Sequence, residues 1–560
     1  MRRHLVFLHY DPEGHVDTAV LHTLRGFRPH VEKIFVVVNG FLDDESRGRL
    51  DSVADEVMER ENVGFDIGAY RAALGRIGYS ELSQYDELLL VNYTFFGPVG
   101  SFGDLFERMD ASSVDFWGMT DHIAVTPHPI LGVGTMPQHL QSYWLAIRNR
   151  MFMAPEFREY WSGLKNANSY HDVIVKFETE FTQHFADRGF TWEAAYSHER
   201  YGTLNASMEA PLALLDDGCP MFKRRIYFHD AVDRDHSGVA AAEVTRRALE
   251  LGYPRAELID GIYRRTPSRQ LSTAMDAYLM MSEPSTESPA SDESRVNVFE
   301  GDFWKSWLGE GQDVFGESGV VFRIGGDFNT ETASATMRAA RERALNVTLR
   351  QSDEVLAAID RDEQLGFVVP LVEHRSTDVL GNGYGKHVFQ IGELTDLLGI
   401  RAPLEPDAPL TPVFGISVLR EEAFADLPAR IAAAGGWGSV AASVGGEGAL
   451  SEMLDLLAAD IARTSGFITA QAATPFQMRV SHAMLEQKFS RVASRFGPGP
   501  KSPFGGAIRA NTPRAVVARW VKNRSPEAAA RIAALERTAK GAAKGSLSSL
   551  RQVAKRVVGR

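Results

Sequence analysis

The chain has 560 residues, 44% hydrophobic and 24% charged, values of an ordinary globular protein that exclude wholesale disorder and fibrous repeats. Its 60 Lys and Arg stand against 73 Asp and Glu, a net charge of −13, and the length predicts about two to four domains, each with its own core. The one cysteine, Cys219, excludes an intrachain disulfide framework and a Cys-rich metal site, and no run reaches the roughly 18 apolar residues of a spanning helix.

The N-terminus, MRRHLVFLHYD, has too short an apolar stretch for a signal peptide and predicts a first strand over 5–10, which makes the cytoplasm the expected compartment. A helix is expected from about Val16 to Phe27, and a second strand over 33–40. Leu50, Val53 and Val57 suit one helix face, although Glu56–Arg60 also suits a third strand leading into Glu61-Asn62-Val63-Gly64. Ile67 to Ile77 predicts a helix and Asp86 to Asn92 a fourth strand. Continuous apolar strands alternating with helices predict an α/β fold with a mostly parallel, Rossmann-like sheet covered on both faces.

After Tyr278 the composition turns to SEPSTESPASDES, a solvated linker expected over 279–295. Residues 296–496 mix strands such as Gly319–Phe322 with helices such as Leu450–Ala462, which predicts a second mixed α/β domain after a first one over 1–278. The breaker-rich GPGPKSPFGG opens a tail over 497–560. From Lys488 to Arg560 the chain holds 17 Lys and Arg against two acids, so a basic tail follows an acidic body. Thr512-Pro513 is a good helix start, and Val516, Val517, Trp520 and Val521, then Leu547, Leu550, Ala554 and Val557, recur at helical spacing beside cations. Basic amphipathic helices of this kind predict peripheral attachment to an anionic membrane surface. The acidic body and the absence of a recognised reader motif argue against nucleic acid as a partner.

Ligands of parallel α/β sheets lie beyond the C-terminal strand ends, and three stretches fall there. They are Asn39-Gly40, the loop Glu61 to Arg71, and Asn92-Tyr93-Thr94. Gly64 and Gly68 suit a loop whose backbone approaches a phosphate at a helix N-terminus, and equally suit turns. GNGYGKH at Gly381–His387 lacks phosphate-loop spacing, and the sixteen histidines form no HExxH.

ENVGFDIGAYRAAL, YDELLLVNYTFFGPV, DFWGMTD, QHLQSYWLAI and VIVKFETEFTQHFADRGF together resemble the rhamnan synthesis protein F family over residues 1 to 230. The resemblance implies a GT-A-like glycosyltransferase of bacterial polysaccharide assembly, most simply an inverting rhamnosyltransferase (a hexosyltransferase). Its donor would be dTDP-L-rhamnose and its acceptor a lipid-linked glycan at the inner face of the cell membrane. In that picture Asn39, Asn62, Gly64, Gly68, Asn92, Thr94 and Lys223 bind the donor, with Arg224 as a second cation for the diphosphate. Asp66 and Glu178 are catalytic, Glu178 as the base, and His139, Gln141 and Ser142 contact sugar or acceptor. The family commonly shows Asn-Asp-Ser where this chain has Asn92-Tyr93-Thr94. Tyrosine is a poor Mg²⁺ or Mn²⁺ ligand, so a metal cofactor requires Asp66 or Asp121 to compensate, and the metal ligands stay open. The same tyrosine supports the alternative of a catalytically silent carbohydrate-binding or scaffold subunit. Carboxylates converging near Asn92 favour the enzyme, whereas an aromatic-filled cleft favours the scaffold.

Overall fold

The computed structural model describes residues 1–228, 238, 240–283, 296–326, 328–329, 331–372, 383–400 and 403–495. The chain forms two compact units, Met1–Gln477 and Met478–Arg560. The described part of the second is helical and belongs to the helix Pro475–Arg495. Of the linker expected over 279–295, Leu279 and Met280 belong instead to the strand Tyr278–Met280, which pairs with Ile468–Ala473; residues 284–295 and the expected basic tail over 497–560 lie outside the described residues.

The first unit holds two larger sheets. Strands β1 (Arg3–Tyr10), β2 (Lys33–Asn39), β3 (Glu56–Arg60) and β4 (Glu87–Asn92) are followed by β5 (Phe95–Phe96) and β6 (Phe116–His122), then β7 (His139–Leu140), β8 (Trp144–Arg148) and β9 (Trp192–Tyr196). The first sheet runs β3-β2-β1-β4-β8-β6-β7, with β9 paired to β6. The apolar runs of β1, β2 and β4 are buried almost throughout, as strands covered on both faces must be. β1, β2, β3 and β4 are mutually parallel, and β8 runs antiparallel to both β4 and β6. β6 therefore parallels β4, and β9 parallels β6. The ends at Tyr10, Asn39, Arg60, Asn92, His122 and Tyr196 thus emerge along one edge.

Helices return the chain behind that edge. α1 (Thr18–Phe27) begins where the Asp17 carboxylate accepts from the Val20 amide at 2.9 Å, and α2 (Asp44–Asp51) where Asp43 does the same for Ser46 at 2.6 Å. α2 ends at Asp51, so Val57 is a strand residue and not part of the helix face, because β3 completes the ladder of β2 from Phe35 to Asn39. α3 (Phe65–Ile77) starts from Gly64 at φ 82°, a left-handed backbone that glycine adopts without a Cβ clash.

The second sheet comprises β11 (Tyr278–Met280), β12 (Val298–Gly301), β13 (Val320–Gly325), β14 (Leu365–Pro370), β15 (Ser417–Arg420) and β16 (Ile468–Ala473), after the short β10 (Phe222–Lys223) that pairs with β5. Its order is β11-β16-β14-β15-β13-β12, with β15 antiparallel, so the fold is α/β with a parallel-dominated first sheet and a second, mixed one. One apolar cluster spans both lobes: Phe96, Tyr227 and Ile262 pack in the same core as Phe322, Val368 and Val418. Ile262 is fully buried, so Ile262→Ala should cost about 2–5 kcal/mol of stability. Denaturant unfolding followed by fluorescence and by circular dichroism should show one displaced transition. Two separated transitions, with only one displaced, would contradict a shared core.

Candidate functional site

Beyond the parallel strand ends lies a cavity of about 860 Å³ whose wall includes Asn39, Asn62, Asp66, Asn92, Lys223 and Glu178. Residues far apart in sequence meet there because four elements deliver them: β2 and β4 end in asparagines, α3 begins at the 61–64 loop, and β10 brings Lys223 back against β5.

Asn92 organises the wall. Its Oδ1 accepts from the Thr94 amide at 3.2 Å and hydroxyl at 2.7 Å, closing the turn after β4. Its Nδ2 donates to Asp66 Oδ2 at 3.0 Å. The Lys223 ammonium donates to Thr94 Oγ1 at 2.8 Å and lies 3.8 Å from the Tyr143 ring centroid, a cation–π contact. Asp66, Asn92, Thr94 and Lys223 are therefore one hydrogen-bonded chain. Burial pushes the Asp66 carboxyl up to about 6, with the field of Glu178 acting in the same direction and Asn92 and Lys223 opposing. Burial pulls the Lys223 ammonium down to about 7, against the fields of Glu178 and Asp66.

Glu178 faces this chain from the end of a π-helical turn, Ile174–Glu178, that precedes the helix Thr179–Ala186. Its Oε2 accepts from the Ser142 amide at 2.9 Å and from the Ser142 hydroxyl, so the carboxylate is fixed against the wall. His139 lines the same wall with its Nδ1 at 2.7 Å from the Pro137 carbonyl and its ring stacked on His122. Burial holds His139 below the ordinary imidazole range. Gln141 accepts from Thr120 at 2.6 Å and Ser207 at 3.0 Å, which ties its side-chain oxygen to the wall.

Asn39 is buried, with its amide donating to the Phe65 carbonyl at 3.2 Å and its oxygen accepting from Arg60. Asn62 has a buried Oδ1 with no partner among the described residues, so it is open to a donor from a ligand. Gly64 and Gly68 stand behind the wall. A Cβ on Gly68 would lie 2.1 Å from the Val63 carbonyl, so this glycine lets the 61–64 loop close onto α3. Tyr93 lines the cavity edge-on to His9, and burial raises its phenol well above the ordinary range, which keeps it neutral.

Two residues expected near the chemistry do other work. Asp121 is buried and accepts from the His198 amide and Nδ1, each at 2.7 Å, and from Gln138 at 2.9 Å. Arg224 grips Asp17 at 2.5 and 3.0 Å, donates to the Phe95 carbonyl and lies over Phe96. The structure adds Arg225, exposed at the mouth, and Arg265, paired with Asp11. Arg225 was legible as part of FKRR, whereas nothing near Arg265 in sequence marks it.

The residues present do not fit a resident divalent cation. Among the described residues no group of three His, Cys, Asp or Glu could hold one. Asp66 already accepts from Asn92, Tyr93 offers a neutral oxygen, and the Lys223 ammonium already answers the charge of both Asp66 and Glu178.

Residues 34–310 match the family model of rhamnan synthesis protein F (RgpF). Over that stretch the chain is similar to the rhamnan synthesis protein F family. The rhamnan synthesis F region thus takes in the cavity-lining positions from Asn39 to Arg265 and continues into the second sheet. Among curated proteins, the uncharacterized protein y4gN of Sinorhizobium fredii is 24% identical over 196 residues, 35% of this chain and 48% of that protein. Virulence protein VirA of Vibrio anguillarum is 41% identical over 75 residues, 13% and 23% of the two chains. The matches therefore span about half or less of the length of these relatives. Among solved structures, 4-diphosphocytidyl-2C-methyl-D-erythritol synthase from Anaerococcus prevotii has 10% identity and a TM-score of 0.24, covering 35% of this chain and 88% of its own. Glucosyl-3-phosphoglycerate synthase from Mycobacterium tuberculosis, in complex with Mn²⁺, UDP-glucose and phosphoglyceric acid, has 14% identity and a TM-score of 0.18, covering 27% and 57%.

The Arg224–Asp17 pair gives a direct check on how the site is held. Asp17→Asn leaves a buried guanidinium uncompensated, which should cost about 3–5 kcal/mol in chemical denaturation. A loss below about 1 kcal/mol, the level of an exposed pair, would show that Arg224 is not anchored there.

Proposed function

We propose that the protein is an inverting glycosyltransferase that moves a rhamnosyl group from dTDP-L-rhamnose to a lipid-linked glycan in cell-surface polysaccharide assembly. The observation that carries the reading is the hydrogen-bonded chain Asp66–Asn92–Thr94–Lys223 facing Glu178 across one cavity. A donor with a diphosphate leaving group needs fixed positive charge where negative charge develops, and Lys223 supplies it, with Arg225 at the mouth. Asn39 and Asn62 lie on the side of the nucleoside, where the unpartnered Asn62 oxygen can accept from the base or ribose. Glu178 takes the proton of the acceptor hydroxyl as that oxygen bonds to the anomeric carbon. The bond from that carbon to the diphosphate breaks on the opposite face, and the diphosphate leaves with the electron pair. Ser142 holds the Glu178 side chain in place by two hydrogen bonds. His139 and Gln141 shape the acceptor side.

On this reading residues 1–278 form the donor-binding lobe and 296–496 the second lobe. Residues 497–560 hold the protein at an anionic membrane surface on the cytoplasmic side. No step requires Mg²⁺ or Mn²⁺. Tyr93 supports a second reading, a catalytically silent carbohydrate-binding subunit. The convergence of Asp66 and Glu178 on a cavity that is not filled by aromatic rings supports the enzyme.

Incubation with a panel of nucleotide-sugars, with and without a lipid-linked acceptor, tests both. Acceptor-dependent nucleotide release is expected, falling about 10² to 10⁴-fold in Glu178→Gln and strongly in Asp66→Asn, with dTDP binding retained in Glu178→Gln. Nucleotide-sugar binding without turnover in the wild type would favour the silent subunit. The pH dependence has a definite sign. Lys223 loses its proton as pH rises through about 7, and Asp66 gains negative charge through about 6. Both changes weaken a diphosphate complex, so dTDP affinity measured by calorimetry should fall from pH 6 to pH 8, and Lys223→Met should flatten that slope.

A further inference from the structure

All but one of the exposed large apolar side chains of the first lobe follow the strand ends that face the cavity or line it. Among the described residues of 1–228 the exposed ones are Met1, Phe41, Val63, Leu131, Val133, Leu204 and Phe228. Met1 is at the opposite edge, before β1. Phe41 follows the end of β2, Val63 the end of β3, Leu131 and Val133 the end of β6, and Leu204 the end of β9; Phe228 lines the cavity itself. Apart from Met1, these residues therefore lie beyond the same strand ends as the candidate site, and Phe228 lines its cavity.

The loop after β6 is the most pronounced part of this collar. Val125 and Met136 exchange backbone hydrogen bonds at 2.9 Å, the Thr126 and Thr135 hydroxyls meet at 2.7 Å, and the His128 amide donates to the Gly134 carbonyl at 2.9 Å. The result is a narrow hairpin that ends in Leu131-Gly132-Val133-Gly134, with Leu131 54% and Val133 72% exposed. From Ile123 to Gln138 it contains no Asp, Glu, Lys or Arg, although a stretch of that length at the chain's 24% charged content would carry about four. Ile130 and Met136, on the same hairpin, line the cavity.

We infer that this collar, led by the Leu131–Val133 tip, docks the mouth of the cavity into the interfacial region of a lipid bilayer. A protein partner covers a contiguous, shape-matched patch, whereas Leu131 and Val133 project from the tip of a narrow hairpin. A fluid apolar phase accepts such separated side chains one by one. The ridge is uncharged and the chain is acidic overall, so the attachment is hydrophobic and does not depend on anionic lipid. It is distinct from the electrostatic contact proposed for the 497–560 tail. The inference deepens the transferase reading, since it would place the cavity mouth at the level where a lipid-linked acceptor presents its sugar, but its test uses no turnover.

Full-length protein is sedimented with phosphatidylcholine vesicles at 0.1 and 0.5 M NaCl, alongside Leu131→Ser/Val133→Ser and Leu131→Phe/Val133→Phe. Wild type should pellet equally at both salt concentrations, because the Debye length falls from about 10 Å to a few ångströms without weakening a hydrophobic contact. The serine variant should lose most of this binding and the phenylalanine variant should bind more tightly, with thermal unfolding and dTDP titration unchanged in both. Wild type left in the supernatant would overturn the inference, as would equal recovery of all three proteins. So would self-association of the wild type that the serine variant abolishes, which would assign the collar to a second copy. Loss of dTDP binding in the wild type would count against the donor site alone and leave the docking result standing.

Discussion

The buried pair between Arg224 and Asp17 decides where the chemistry can stand. Asp17 ends the loop after β1 and caps α1, while Arg224 follows directly on Lys223 at the end of β10. The guanidinium also donates to the Phe95 carbonyl and covers Phe96, so one side chain ties the first strand's loop to the β5–β10 ribbon. Such a pair gains little over an apolar substitute, but breaking it is costly, and that asymmetry fixes geometry. With Arg224 held, Lys223 points into the cavity and meets Thr94.

The neighbouring cation and carboxylates explain each other. Lys223 would lose its proton more readily still without Asp66 and Glu178, and Asp66 would be more strongly neutralised without Lys223 and Asn92. A site in this balance responds sharply to an anionic ligand, which raises the proton affinity of the lysine on arrival. Tyr93 fits the same logic. A half-buried phenol set edge-on to His9 adds no charge to a wall whose cationic role falls to a lysine.

Much of this was legible in the sequence, and the rest was hidden for physical reasons. Continuous apolar runs marked β1, β2 and β4, and their polar ends marked Asn39 and Asn92, because a parallel strand buried on both faces can carry polar groups only where it stops. Direction was not legible. Trp144–Arg148 is as apolar as its neighbours, and nothing in such a run says that it enters antiparallel between β4 and β6. Gly64 and Gly68 suggested a phosphate loop, yet they serve the turn and the close approach of Val63, since the same freedom from a Cβ suits either use. Asp121 and Arg224 looked available and are committed to His198 and Asp17, partners 77 and 207 residues away that no local pattern predicts. The core shared by the two lobes was equally invisible, because β11, which runs into the start of the expected linker, already pairs with β16.

The central claim is that the cavity binds a nucleoside diphosphate through the ammonium of Lys223 and not through a resident metal. Calorimetric titration of dTDP into the full-length protein in EDTA, with Lys223→Gln beside the wild type, tests it most directly. The account predicts binding in EDTA that weakens about tenfold or more in the variant, the scale of one charge-assisted hydrogen bond. Binding that appears only when Mg²⁺ or Mn²⁺ is restored, and that is indifferent to Lys223, would contradict it.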